Sequence, residues 1–339
     1  MAETVTLSHV AQEAGVSPST VSRILNGTAR VAPEKRERVE HAIRQLGYQP
    51  NVMAQALARG KTMSVGVLTQ DISSPYYGEA VAGVEQGLDG SDYHPVVVSG
   101  HWRIEQERDA LEVLLGRQVD ALIVMGGHLD DDHLQRIAAN IPLIAIGRSI
   151  KGLEAQCMRV DNLHGAYLAT RHLIERGHRR IAHIAGPQDN DEALERLAGY
   201  RRALEEAGIP FDPKIVVEGN FAEQSGLMAT EALFARASLF TSIFIANDQM
   251  AYGVRLALYR RGVRVPDDVS IVGFDDLSSS SYTTPPLTTV RQAIRDMSRA
   301  AADAVLALLA GQQVNLPRFE VSLVIRESTA MLRNAGGMG

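Results

Sequence analysis

The chain changes its hydrophobic period near Ser64, and this change restricts its possible architectures more than any other feature. After it, short apolar runs recur: SVGVL from 64, PVVVS from 95, ALIVM from 121 and PLIAIG from 142. Helical spacings fill the gaps, at about Ala80 to Leu88, Glu105 to Leu115 and His133 to Ala139. A second series follows with IAHIAG from 181, KIVVEG from 214, SIFIAN from 242 and VSIVGFD from 269. Its helical stretches fall at about Gly165 to Arg176, Leu197 to Ala207, Gln224 to Phe234 and Met250 to Arg261. Strands alternating with helices specify a parallel sheet covered on its faces. Two such series predict an α/β core of two similar parallel-sheet lobes.

Before Ser64 the spacing is helical throughout. Leu7, Val10, Ala11 and Ala14 fall on one face, and Gly15 stops the pattern. Ser17 is a good N-cap with Pro18 at the first helical position, where a missing N–H costs nothing, and Val21, Ile24 and Leu25 continue the face. A third helix is expected from about Pro33 to Leu46, with Gly47 suited to its C-terminus. Three short helices, the first two joined by a tight Gly-containing turn, form the helix-turn-helix pattern, whose second helix enters the major groove. Ser19, Ser22, Arg23 and Asn26 would face outward there. Arg23 suits guanine, Asn26 a base or phosphate, and Arg30 and Lys35 phosphates. The same spacing also describes a plain three-helix bundle with a solvated polar face.

Charge adds to this division. Residues 1–61 carry eight Lys and Arg against five Glu, a balance of +3 within a total of −6, so the remainder carries −9. A basic head on an acidic body suggests that only the head meets a polyanion. A length of 339 residues suits two or three domains, and no apolar run approaches the ~18 residues of a spanning helix. The beginning MAETVTLSHV has no basic segment, apolar stretch or small-residue cleavage site of a secretory signal. Cys157 alone can make neither an internal disulfide nor a cysteine metal cage, in keeping with a cytoplasmic location.

In open α/β sheets ligands bind beyond the carboxyl ends of the strands, so two facing lobes make a cleft there. The residues at those ends are Asp71 to Tyr77, Gly147 and Arg148, Arg196, Phe221, Asn247 and Asp248, and Asp275 and Asp276. Carboxylate, amide and guanidinium groups mixed with aromatic rings suit a polyhydroxylated ligand, whose hydroxyls need paired donors and acceptors. Strand-end Asp and Asn can instead simply cap the next helix. Trp102 is open to either cleft lining or packing. The cluster His128, Asp130, Asp131, Asp132 and His133 reads as a solvated loop opening a helix rather than a metal site. The usual phosphate-loop, nucleophile-elbow and zinc-helix spacings are missing, so no catalytic residue, metal or cofactor is expected.

The stretch LSHVAQEAGVSPSTVSRILNGTARVAPEKRERVEHAIRQLGYQPNVMAQALARGKT resembles the DNA-binding head and hinge of the LacI/GalR family of bacterial transcription repressors. DNLHGAYLATRHLIERGHRRIAHIAG, ERLAGYRRAL, IFIANDQMAYG, VPDDVSIVGFDD and YTTPPLTTVRQ extend the likeness along nearly the whole chain. The resemblance implies a head over 1–50, a hinge helix and linker over 51–61, and a periplasmic-binding-protein-like core over 62–339. The core's first lobe would take about 62–161 and 293–323, its second about 162–291 and 324–335, with crossings near Val160-Asp161, Gln292 and Val324. DNA-contacting positions would be Thr6, Leu7, Ser17, Pro18, Ser19, Ser22, Arg23, Asn26 and Arg30. In the hinge, Asn51 would cap the helix, Ala54 and Gln55 would lie near the minor groove, and Leu57 would wedge between base pairs.

Effector-binding positions implied by the strand ends and the likeness are Asp71, Tyr76, Tyr77, Arg148, Asp161, Arg196, Phe221, Asn247 and Asp275. Ala32 stands where a small hydroxylated cap is usual, which should weaken the third helix. Asn190 and Glu192 replace the basic and hydroxylated residues of purine-binding members, which argues against a purine. With no leucine heptad towards Gly339, a homodimer on a near-palindromic operator is expected. The reading is a repressor of sugar-utilisation genes with a sugar-type effector. Its rivals are a pure ligand carrier and a sugar-modifying enzyme using Asp275 and Asp161.

Overall fold

The computed structural model describes residues 5–25, 31–48, 60–236 and 239–332. The head consists of α1 (Leu7–Ala14), α2 (Pro18–Leu25) and α3 (Pro33–Leu46) around a small core of Val10, Ala11, Ala14, Val21, Val39 and Ala42. Thr6 and His9 form a reciprocal capping box at the start of α1: the Thr6 hydroxyl accepts the His9 amide, and His9 Nδ1 accepts the Thr6 amide. Gly15, at φ +62, ends α1 in the left-handed conformation that glycine adopts without a Cβ penalty. Ser17 Oγ accepts the Thr20 amide at 3.2 Å and so caps α2, whereas Ala32 offers α3 no side-chain cap.

The first lobe runs β1 (Ser64–Thr69), α4 (Pro75–Leu88), β2 (His94–Ser99), α5 (Ile104–Gly116), β3 (Ala121–Met125), α6 (Asp131–Ala138), β4 (Leu143–Ile146) and β5 (Cys157–Met158). Its sheet is parallel in the order β2-β1-β3-β4-β5. Every residue of β3 is buried, as expected of a strand with both faces covered.

The second lobe runs α7 (Asn162–Glu175), β6 (Ile181–Ala185), α8 (Asp191–Glu206), β7 (Val216–Glu218), α9 (Glu223–Ala235), β8 (Ser242–Ile245), α10 (Asp248–Arg260), β9 (Ser270–Asp275) and β10 (Thr288–Arg291). The KIVVEG run is strand only from Val216, because Pro213–Ile215 make a short 3-10 turn capped by Asp212. After β10 the chain crosses back as α11 (Ile294–Leu309), which packs on α4 of the first lobe. The contact is close: a Cβ on Gly83 would collide with the Arg295 carbonyl oxygen. β11 (Ser322–Val324) then adds antiparallel to β10, giving the order β11-β10-β9-β8-β6-β7. The return crossing thus precedes Ser322, slightly ahead of the expected Val324.

Asp248 ties together the cleft end of the second lobe. Fully buried, it accepts hydrogen bonds from the Leu277 amide at 3.0 Å, Ser280 Oγ at 2.6 Å and Thr289 Oγ1 at 2.6 Å. These anchor the segment after β9 and so fix where Asp275 points. Among the described residues no helix is long and apolar enough to cross a membrane.

Candidate functional site

A cavity of about 290 Å³ lies between the lobes at the carboxyl ends of both parallel sheets, near the lower bound of ~300 Å³ for small-molecule pockets. The first lobe contributes Asp71, Ser73, Ser74, Tyr76 and Tyr77 after β1, with Trp102 after β2. The second contributes Glu192 and Arg196 from α8, Asn220 to Glu223 after β7, Asn247 and Gln249 around the start of α10, and Asp275 at the end of β9. The placement follows from topology: each parallel strand delivers its last residues to the same edge, where the next helix begins.

Arg196 is only 3% exposed. Its Nε donates to Asn162 Oδ1 at 2.9 Å and its Nη1 to the Ala246 carbonyl at 2.5 Å. Its guanidinium carbon lies 4.0 Å from the Phe274 ring centroid, and Nη1 lies 3.7 Å from Asp275 Oδ1. A planar cation stacked and hydrogen-bonded in this way holds a fixed orientation, which suits it to pairing with ligand hydroxyls. Asp275, at φ +118, accepts from Gln292 Nε2 at 2.5 Å. Burial pushes its carboxyl well above the usual range, against the pull of the Arg196 charge. Gln292 Oε1 in turn accepts the Tyr76 hydroxyl at 3.5 Å, linking this acid to the opposite lobe.

Asn247 caps α10 through Oδ1, which accepts the Met250 amide at 2.9 Å, while Nδ2 donates to the Phe221 carbonyl. Phe221 itself has φ +68, and its ring lies over Gly186, where any Cβ would collide with it. Opposite stand Tyr76 and Tyr77, edge to face at 5.2 Å, whose hydroxyl pKa values burial raises well above the usual range. The cavity thus combines flat apolar faces with a few fixed donors and acceptors. That combination suits a ligand rich in hydroxyls.

Two expected cleft residues lie elsewhere. Asp161 caps α7, accepting the His164 amide at 2.9 Å, and lines a separate cavity beside the 314–321 segment. Arg148 folds back onto its own lobe, donating to the Gly127 and Leu129 carbonyls and to Asp131 Oδ1. Asn190 likewise acts as the cap of α8. Trp102 does line the cleft, with its ring edge to face with His128 at 5.7 Å. Periodicity missed Asn220, Glu223 and Gln249, although the strand-end rule that found Asn247 applies equally to them. In the loop near Trp102, the buried Glu107 accepts the His128 and Leu129 amides, while Asp131 and Asp132 open α6.

In the head, Ser17, Pro18, Ser19 and Arg23 are exposed on and beside α2, and Ser22 is half-buried. Thr6 is exposed and Leu7 half-buried at the start of α1. The Ser17 hydroxyl, besides capping α2, lies 2.9 Å from Ser19 Oγ and 2.8 Å from Thr20 Oγ1. Asn26, Arg30, Asn51, Ala54, Gln55 and Leu57 lie outside the described residues.

A helix-turn-helix head joined to two α/β lobes with a ligand cleft at their strand ends defines a ligand-responsive DNA-binding regulator. Residues 6–51 match the family described as bacterial regulatory proteins, lacI family, and residues 170–329 match the periplasmic binding protein-like domain. The HTH-type transcriptional regulator GalR of Salmonella typhimurium is 38% identical over 304 residues, covering 89% of each chain. CelR of Thermobifida fusca is 38% identical over 333 residues, covering 95% of this chain and 98% of its own. Among solved structures, the lac repressor dimer bound to operator and the anti-inducer ONPF superposes with a TM-score of 0.85 at 34% identity, covering 97% of this chain and 100% of that one. A CelR–cellobiose complex superposes with a TM-score of 0.70 at 36% identity, covering 96% and 99%. The chain belongs to the LacI family of transcription regulators.

Proposed function

We propose that this protein is a homodimeric repressor of sugar-utilisation genes that acts in the cytoplasm without a catalytic step. It binds a near-palindromic operator through α2 and the 51–61 hinge, and a sugar-type effector in the cleft shifts that binding. The observation that carries the reading is the stacked, hydrogen-bonded Arg196 beside Asp275, facing the aromatic rings of Phe221, Tyr76 and Trp102. Relatives named for ribose and cellobiose regulation support a sugar ligand. Coupling runs through relative movement of the lobes, a two-state element that both ligand and DNA bias. Of the expected contacts, Ser17, Pro18, Ser19, Ser22 and Arg23 would read or flank bases, and Leu57 would enter the minor groove.

The enzyme reading needs Asp161 and Asp275 in one site, and these residues line different cavities. A pure carrier leaves the head unexplained. The test is a thermal-unfolding screen against neutral sugars, sugar acids, sugar phosphates and nucleosides. A ligand of the native state stabilises by ~2.7 kcal/mol at a hundredfold excess over its Kd. A sugar that shifts the wild type but not Arg196→Ala is the expected result; a nucleoside acting alone would overturn the sugar reading.

A further inference from the structure

We infer that Glu192 makes the cleft selective against anionic ligands, so that neutral sugars enter and sugar acids and sugar phosphates do not. The inference rests on the sugar reading of the cleft and narrows its ligand class.

The helices α4, α8, α9 and α10 all begin at the cleft. A helix N-terminus carries partial positive charge and free N–H groups and is a ready anion site. Acids oppose that attraction at three of these four helix starts, α4 having none in its first turn. Asp191 and Glu192 occupy the first turn of α8, Glu223 that of α9 and Asp248 that of α10. Among the described residues lining the cavity, Asp71, Glu192, Glu223 and Asp275 are acidic and Arg196 alone is basic. The guanidinium of Arg196 is already held by Asn162, the Ala246 carbonyl and the Phe274 ring.

The four acids are not equivalent. Asp71 accepts from the Ser73 amide and hydroxyl, Glu223 from Gln249, and Asp275 from Gln292. Glu192 Oε1 is buried and accepts no hydrogen bond among the described residues. It sits against Gly147 of the opposite lobe, where a Cβ would lie 3.1 Å from it. Arg196 and an Asn162 hydrogen bond act on this carboxylate, but its Oε1 stays unpartnered at the seam of the lobes, and a second anion placed there would face it at low dielectric.

The experiment follows the fluorescence of Trp102, the only tryptophan in the chain, which lines the cleft. The probes are matched pairs: galactose with galacturonate, ribose with ribose 5-phosphate, and cellobiose with cellobionate. For the wild type, a neutral member should bind and its anionic partner should bind at least ~10-fold more weakly. Glu192→Gln, which keeps the side-chain shape, should raise the anionic-to-neutral affinity ratio at least ~10-fold. Glu205→Gln, the same charge change at the far end of α8, should leave the ratio as it is. An anionic partner binding the wild type as tightly as its neutral mate, or an unchanged ratio in Glu192→Gln, overturns the inference and leaves the sugar reading standing. No response to any probe, in wild type or variant, overturns both.

Discussion

Ser74 Oγ donates to Gln249 Oε1 at 2.6 Å, and this buried hydrogen bond joins the two lobes directly across the cleft. Ser74 immediately precedes α4 and Gln249 lies in the first turn of α10, so the bond spans helices that begin on opposite walls. Gln249 Nε2 donates to Glu223 Oε1 at 3.2 Å, which orients the amide. Together with the Tyr76 to Gln292 contact, it holds the lobes in the relative position that closes the cavity.

Ser74→Ala removes one buried neutral hydrogen bond and leaves Gln249 Oε1 unpaired, a cost of about 1 kcal/mol. Because the bond exists only where the lobes meet, the cost falls on the closed arrangement. Effector affinity, read by Trp102 fluorescence, should drop about fivefold, while the unfolding midpoint of the ligand-free protein moves little. Unaltered affinity would show that the bond does not help to close the cleft.

Arg196→Ala takes the cation from beside Asp275 and empties the face of Phe274. It also leaves the Asn162 and Ala246 acceptors without their donor and a void in a packed site, together a cost of about 3 kcal/mol. Denaturant unfolding should show a loss of that order, and the effector's thermal shift should disappear. Arg196→Lys should not restore it, because an ammonium cannot reproduce a planar, stacked, multiply hydrogen-bonded group. Recovery of the full shift by lysine would mean that only the charge matters.

Acid sensitivity follows from histidine burial. His183 is stacked between Tyr200 and Phe244 at centroid distances of 4.9 and 4.8 Å, and burial lowers its pKa to about 4. His172 is lowered to about 4 as well, chiefly by burial and then by Arg176. A histidine whose folded value lies below its unfolded ~6.5 favours the neutral state in the fold. Its stabilising contribution is complete above that pH and declines as pH falls towards the folded value. His183→Leu should therefore show a shallower loss of stability than wild type between about pH 6.5 and about pH 4, whatever its effect at higher pH. Parallel curves would remove His183 as a source of the acid sensitivity.

The head offers a stabilising change. Ala32 occupies the cap position of α3 with no side-chain oxygen. Ala32→Ser should supply the missing acceptor and stabilise the head by about 1 kcal/mol. Hydrogen exchange of α3 amides should slow accordingly, and an unchanged rate would mean that the introduced hydroxyl does not reach the helix.

The sequence showed best those elements whose stabilising pattern is local. The bounds of α1 and α3 follow from apolar spacing plus Gly15 and Gly47, both of which take positive φ. Helices bordering the cleft begin earlier than periodicity implies: α4 at Pro75 rather than Ala80, and α8 at Asp191 rather than Leu197. Their first turns hold Tyr76, Tyr77 and Glu192, cleft residues that break the apolar stripe. The two-residue β5 carries too little pattern to detect. Arg196, Asn247 and Asp275, read from their strand-end positions, line the cavity. Position alone could not foresee that Asp161 would cap its own helix or that Arg148 would turn back to the Gly127 and Leu129 carbonyls. Those choices depend on side-chain partners distant in sequence.

The central claim is that one molecule couples the cleft to DNA. Its most direct test is the affinity of the effector for the protein, measured by Trp102 fluorescence, free and saturated with the near-palindromic duplex selected from random DNA. Thermodynamic linkage requires that the factor by which DNA changes effector affinity equal the factor by which effector changes DNA affinity, typically ~5- to ~150-fold. Equal, reciprocal factors in that range are the predicted result. Identical effector affinity in the presence and absence of bound DNA would contradict the account.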